Sequence, residues 1–123
     1  MATTNLSIEQ VSGARLFEDT DLQGTAVAIK ASSGTVYAIE IDNTANAAEA
    51  EYVKLWDTAQ GSVTVGTTAP SMIIPIAAAA KKTIVIPSGL AFGTAITAAC
   101  VTTAGTAGTT NPTASLICRV VYA

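Results

Sequence analysis

The sequence predicts an all-β fold: a single antiparallel β-sandwich, jelly-roll-like, of about eight strands, with an N-terminal extension. Three observations lead there. Short apolar runs alternate with period two, which suits a half-buried strand and not a helix. Turn residues punctuate these runs at a spacing of about 8–12 residues, the rhythm of a sandwich or barrel. The four prolines, Pro70, Pro75, Pro87 and Pro112, fall at run ends or on expected edge strands, where a missing N–H costs no ladder bond.

Residues 1–24 hold Glu9, Arg15, Glu18, Asp19 and Asp21 without sustained periodicity, and are read as an arm. Its LFEDTDLQG segment reads as a turn-rich connection into the first strand. Residues 25–123 form the sandwich domain. Its first two runs, TAVAIKA (25–31) and TVYAIEID (35–42), flank Ser33-Gly34, which reads as a tight turn. In the second run Tyr37, Ile39 and Ile41 share one face, and Glu40 and Asp42 share the other. EYVKLWD (51–57) sets Tyr52, Lys54 and Trp56 against Val53 and Leu55. SVTV (62–65), SMIIPI (71–76), KTIVIP (82–87), GTAITAACVTT (93–103) and SLICRVVY (115–122) complete the strands. Two Ala-rich pieces, DNTANAAEAE (42–51) and IAAAAKK (76–82), are shorter than the roughly 12–15 residues an independent helix needs, and are read as loops.

Composition narrows the function. Of 123 residues, 24 are Ala and 19 Thr, half are hydrophobic, only 5% are aromatic and 12% are charged. Disordered charged tails have the opposite balance. Six Lys and Arg against nine Asp and Glu leave a net charge of -3, unsuited to clamping nucleic acid. The chain has no His, so no triad, metal cage or proton shuttle uses imidazole. No apolar run reaches the length of about 18 residues that spans a bilayer, and no secretory signal opens the chain, so neither a membrane nor a secreted location is expected. High apolar content with little charge leaves apolar surface that an oligomer would cover.

The candidate sites are few. Glu18, Asp19 and Asp21 cluster, as do Asp42, Glu49 and Glu51, but a glycosidase pair also needs an aromatic cleft that one Trp, three Tyr and two Phe hardly supply. Asp42-Asn43-Thr44-Ala45-Asn46 gathers oxygens as a Ca²⁺ loop would, yet lacks the loop's Gly and its acidic third position, so an Asx turn is the simpler reading. No G-x-S-x-G elbow or GK[ST] loop is present. Trp56 beside Lys54 suits a sugar or base platform, but a lone strand Trp is more often core. GTTAPS (66–71) and GTTNPT (108–113) echo each other, either as paired loops offering Thr hydroxyls or as ordinary turn chemistry, the reading preferred here. Cys100 and Cys118 are expected reduced and buried; were their runs one hairpin, they would face each other across it. No catalytic, cofactor-binding or metal residues are assigned, and no enzyme activity or cofactor is expected.

In layout, GTVYAIEIDNTANAAEAEYVKLWD, TVGTTAPSMIIPIAAAAKKTIVIPSGLAFGTAI and TTAGTAGTTNPTASLICRVVYA resemble the small β-sandwich virion proteins of tailed bacteriophages. The likeness covers residues 25 to 123. It implies a head cement or decoration protein, a homotrimer assembled in the host cytoplasm that seats on the major capsid protein at the capsid surface and stabilises the lattice. The arm would reach a neighbouring subunit or the shell. A tail or fibre-tip module and a carbohydrate-binding module are the alternatives, because one fold serves many functions.

Overall fold

The computed structural model describes residues 13–123; the first half of the expected arm, residues 1–12, lies outside the described residues. In chain order the strands are β1 (Arg15–Asp19), β2 (Val27–Lys30), β3 (Gly34–Asp42), β4 (Glu51–Trp56), β5 (Met72–Ile76), β6 (Lys81–Phe92), β7 (Ile96–Val101) and β8 (Ile117–Tyr122). They form two four-stranded sheets, ordered β1-β8-β3-β6 and β2-β7-β4-β5. Every pairing is antiparallel. The pairs β1 with β8, β2 with β7, β3 with β6 and β4 with β5 are those of one long folded ribbon. The further pairs β3 with β8 and β4 with β7 join that ribbon to itself once it is rolled. This is the jelly roll that the alternation predicts.

Each strand alternates about the sandwich interior. In the first sheet Phe17, Val120, Ile39 and Ile84 stand opposite one another in a single inward row. In the second, Ile74, Val53 and Cys100 make the facing row, and Met72, Leu55, Ala98 and Val27 the next. These side chains, with Leu22, Ile76, Phe92, Ile96, Leu116 and Cys118, form one continuous core. The prolines inside strands, Pro75 and Pro87, lie on β5 and β6, both edge strands.

Four local expectations are corrected. Arg15–Asp19 is not a connection but the edge strand of the first sheet, paired residue for residue with β8. SVTV is not a strand: the β4–β5 pairing begins at Leu55 and Met72, so the whole of 57–71 is a connection, with a 3-10 turn at Gln60–Ser62 and a second turn in which the Thr64 carbonyl accepts the Thr67 and Thr68 amides. β2 and β3 are not a hairpin, because they belong to opposite sheets and Ser33-Gly34 carries the chain between them. Tyr37 does not share a face with Ile39 and Ile41. The β3–β6 register jumps between Val36, opposite Leu90, and Ala38, opposite Val85. Against β8, Val36 and Ala38 stand opposite the adjacent residues Tyr122 and Val121, so Tyr37 is the extra residue of a bulge in β3, and Val36, not Tyr37, is buried with Ile39 and Ile41; residues 86–89 bulge from β6 opposite it. Gly89 makes this possible: its φ is +80°, and a Cβ there would lie 3.0 Å from the Tyr37 ring and closer still to Thr35.

Candidate functional site

The two outer sheet faces differ. On the β1-β8-β3-β6 face, one cross-strand row runs Leu16, Val121, Ala38, Val85 over all four strands. Leu16 and Val85, at its ends, are 64% and 66% exposed and are the large apolar side chains most open to solvent among the described residues. The next row is Glu18, Arg119, Glu40, Thr83. Arg119 binds both neighbours there, Nε to Glu18 and Nη1 to Glu40, each at 2.6 Å. These bonds raise the Arg119 pKa and tie β8 through one guanidinium to both of its neighbours, β1 and β3. An apolar strip beside a fixed polar row is the anatomy of a protein contact surface, an apolar centre with a charged margin.

The opposite face, on β2-β7-β4-β5, is covered by the chain itself. Trp56 is buried, and its indole N–H donates to the Thr68 carbonyl at 2.9 Å. Thr97, its cross-strand neighbour, donates its hydroxyl to the Thr58 carbonyl at 2.6 Å. Gln60 reaches the Ala26 carbonyl from the same 57–71 connection. The GTT echoes meet here: a Cβ on Gly66, whose φ is +93°, would lie 2.4 Å from the Thr109 methyl and 3.4 Å from the Ala107 carbonyl. The two loops are therefore paired, but their closest contact is with each other. Beneath this cover Lys54, between Ile73 and Ala99, is fully buried, and its ammonium has no hydrogen-bond partner among the described residues. Burial lowers its pKa.

At one end of the sandwich three connections are tied by two amides. Asn43 donates its Nδ2 to the carbonyls of Glu49 and Ala77. Asn46 donates to Asn43 Oδ1 and to the Ala114 carbonyl, and accepts the Ala114 amide at 2.7 Å. The oxygens proposed for Ca²⁺ are thus engaged, and Asp42 caps Thr44 through both its amide and hydroxyl while facing Lys81 at 3.6 Å. The Asx turn is the arrangement found. Over this knot lies a shallow pocket of about 340 Å³, lined by four alanines (Ala45, Ala47, Ala48 and Ala114) with Asn46, Glu49 and Thr113.

The remaining acidic candidates are dispersed. Glu18 pairs with Arg119, whereas Asp19 and Asp21 serve their own turn, Asp19 accepting the Asp21 amide and Asp21 accepting Gln23. Glu49 and Glu51 do come together, as described below. Cys100 and Cys118 are free and fully buried on β7 and β8, in opposite sheets rather than in one hairpin. Burial, then the Glu51 carboxylate and Cys118, raises the Cys100 pKa, and burial pushes Cys118 up to about 12. Neither thiol is a nucleophile in this state.

Sequence reasoning missed the apolar row, since Leu16 lay in the presumed arm and the alignment of Val85 with Ala38 depends on the β6 bulge. It also missed the isolation of Lys54 and Glu51. For Glu51 a signal existed: it is in phase with Val53 and Leu55, so a charge stood on the inward face. Compared with known proteins, the chain matches no family model, no curated protein and no solved structure.

Proposed function

We propose that the protein is a non-enzymatic structural protein of a bacteriophage virion, a capsid cement or decoration protein that binds the major capsid protein and stabilises the head lattice as a homotrimer. The observation that carries this reading is the outer Leu16–Val121–Ala38–Val85 row, half-buried in the middle and exposed at Leu16 and Val85, with its Glu18–Arg119–Glu40 margin. A rigid sheet face of this kind suits a broad, weakly charged protein contact. Three such faces in one trimer would engage a threefold lattice site by avidity, each bound copy raising the effective concentration of the next. The carbohydrate-binding alternative loses its platform, because Trp56 is buried and its N–H is spent on Thr68. A tail or fibre-tip module would use the same face and remains the second reading.

Light scattering of the purified chain and thermal melting of capsids with and without it test the proposal. The expected results are a trimer and a raised capsid melting temperature, with the double variant Leu16→Ser, Val85→Ser folding normally but losing the capsid effect. A monomer that leaves capsid melting unchanged overturns the reading and puts the tail module first.

A further inference from the structure

Glu51 opens β4 with its side chain on the inward face, opposite Ile76, and is fully buried. Neither of its carboxylate oxygens meets a hydrogen-bond donor among the described residues. What it does meet is a second carboxylate, that of Glu49. Glu49 in turn binds the 102–116 connection: Oε1 accepts the Thr113 amide and Oε2 the Thr113 hydroxyl, both at 3.0 Å. Two carboxylates bond only if one carries a proton. Glu51, the buried member, keeps the proton and donates it to Glu49, which stays ionised and anchored to Thr113.

We propose that this shared proton is a latch: while Glu51 holds it, the 43–50 connection stays closed on Thr113, and its loss releases Thr113 and widens the pocket that Glu49 and Thr113 line. The other groups facing Glu51 do not substitute for the proton. β5 brings Ile76, and β7 brings the Cys100 thiol, with Cys118 of β8 beyond it. Lys54 points to the other face of β4, and Lys82 of β6 spends its ammonium on the Pro75 carbonyl. No cation among the described residues forms an ion pair with Glu51. When Glu51 ionises, two like charges touch at a buried site. Glu49, nearer the surface, is the one free to swing away, and in doing so it breaks both Thr113 bonds. The Asn46 bonds to Ala114 persist, so the movement is confined to the Thr113 side. Burial first, then the Glu49 bond and charge, push Glu51 up to about 8, while Glu51 and Thr113 together hold Glu49 below the usual carboxylate range. The latch therefore opens in mildly alkaline solution. It does not depend on the virion role.

The test is NMR on the intact chain from about pH 6 to about pH 10, following the Glu51 carboxyl carbon and the exchange of the Thr113 and Ala114 amides. Glu51 is expected to titrate near 8. Thr113 protection, corrected for intrinsic exchange, is expected to fall by about tenfold or more across that midpoint while Ala114 stays protected. In Glu51→Gln, whose amide donates to Glu49 at every pH, Thr113 protection is expected to stay constant. An ordinary acidic titration of Glu51 in the wild type, or the same loss of Thr113 protection in Glu51→Gln, overturns the latch.

Discussion

The two sheets obey one alternation rule and put it to opposite uses. On β1-β8-β3-β6 the outer row leaves Leu16 and Val85 to solvent and Val121 and Ala38 half-buried, and Arg119 is satisfied by its strand neighbours. On β2-β7-β4-β5 the outer residues Lys54, Trp56, Thr97 and Ala99 are as buried as the core, because the 57–71 and 102–116 connections fold back over them. The covered sheet has two apolar interfaces and anchors the fold. The open sheet has one interface to spare. That difference teaches where stability and where binding reside, and it can be tested from both sides.

The largest expected effect is on the covered face. Trp56→Ala removes a buried indole and leaves the Thr68 carbonyl without its donor. It should cost about 3–5 kcal/mol in urea unfolding. A loss close to zero would mean that the loops do not pack as described.

Lys54→Met on the same face should act in the other direction. Replacing a buried, unpartnered ammonium with an apolar side chain of similar length should stabilise by about 1–3 kcal/mol. The sign of the pH dependence sharpens this. Burial lowers the folded-state pKa of Lys54, so between that lowered value and 10.5 the unfolded chain binds more protons and stability rises with pH. Lys54→Met should abolish that rise. Glu51 contributes the opposite slope: its folded pKa is raised from 4.5 to about 8, so the folded chain binds more protons between those values and stability falls through that window. Glu51→Gln should remove the fall. Melting temperatures of the three proteins from acid to alkaline pH separate the two contributions.

On the open face the expected changes are smaller. Arg119→Met leaves Glu18 and Glu40 flanking an apolar residue, and should lower the melting temperature less than Trp56→Ala does. That loss should narrow at high salt, since the groups are partly exposed and screened. Leu16→Ser with Val85→Ser should move stability least, within about 0.5 kcal/mol per site. If these substitutions destabilise as much as Trp56→Ala, the open face is not open.

Legibility in the sequence followed locality. β4 was readable because Val53 and Leu55 alternate with Tyr52 and Lys54 inside six residues, and the strand and its two faces are those found. β5, β7 and β8 were readable for the same reason. β1 was not, because Arg15–Asp19 has two acids and one base in five residues and becomes a strand through its partner, β8. SVTV has strand-forming residues but no partner, and propensity without pairing makes no sheet. Tyr37 was assigned to the wrong face because it is the extra residue of a bulge, visible only once β3 is paired with β8 and β6, whose partners lie about fifty to eighty-five positions on. The GTT repeat was visible, but its meaning required Gly66 and Thr109 to touch. Asp42 was rightly read as a turn residue, since its partner Thr44 lies two positions on.

The amino-acid sequence by itself determined the all-β class, most of the strands, the loop character of both alanine-rich segments and the lack of imidazole chemistry. Each follows from spacing or composition, which act over a few neighbouring residues. Only the tertiary structure decided which sheet face is open, which charges lose their water, and that the Glu51 carboxyl is buried without a donor among the described residues. Those outcomes depend on loops returning from distant parts of the chain, and desolvation is a property of what finally covers a residue, not of the residue.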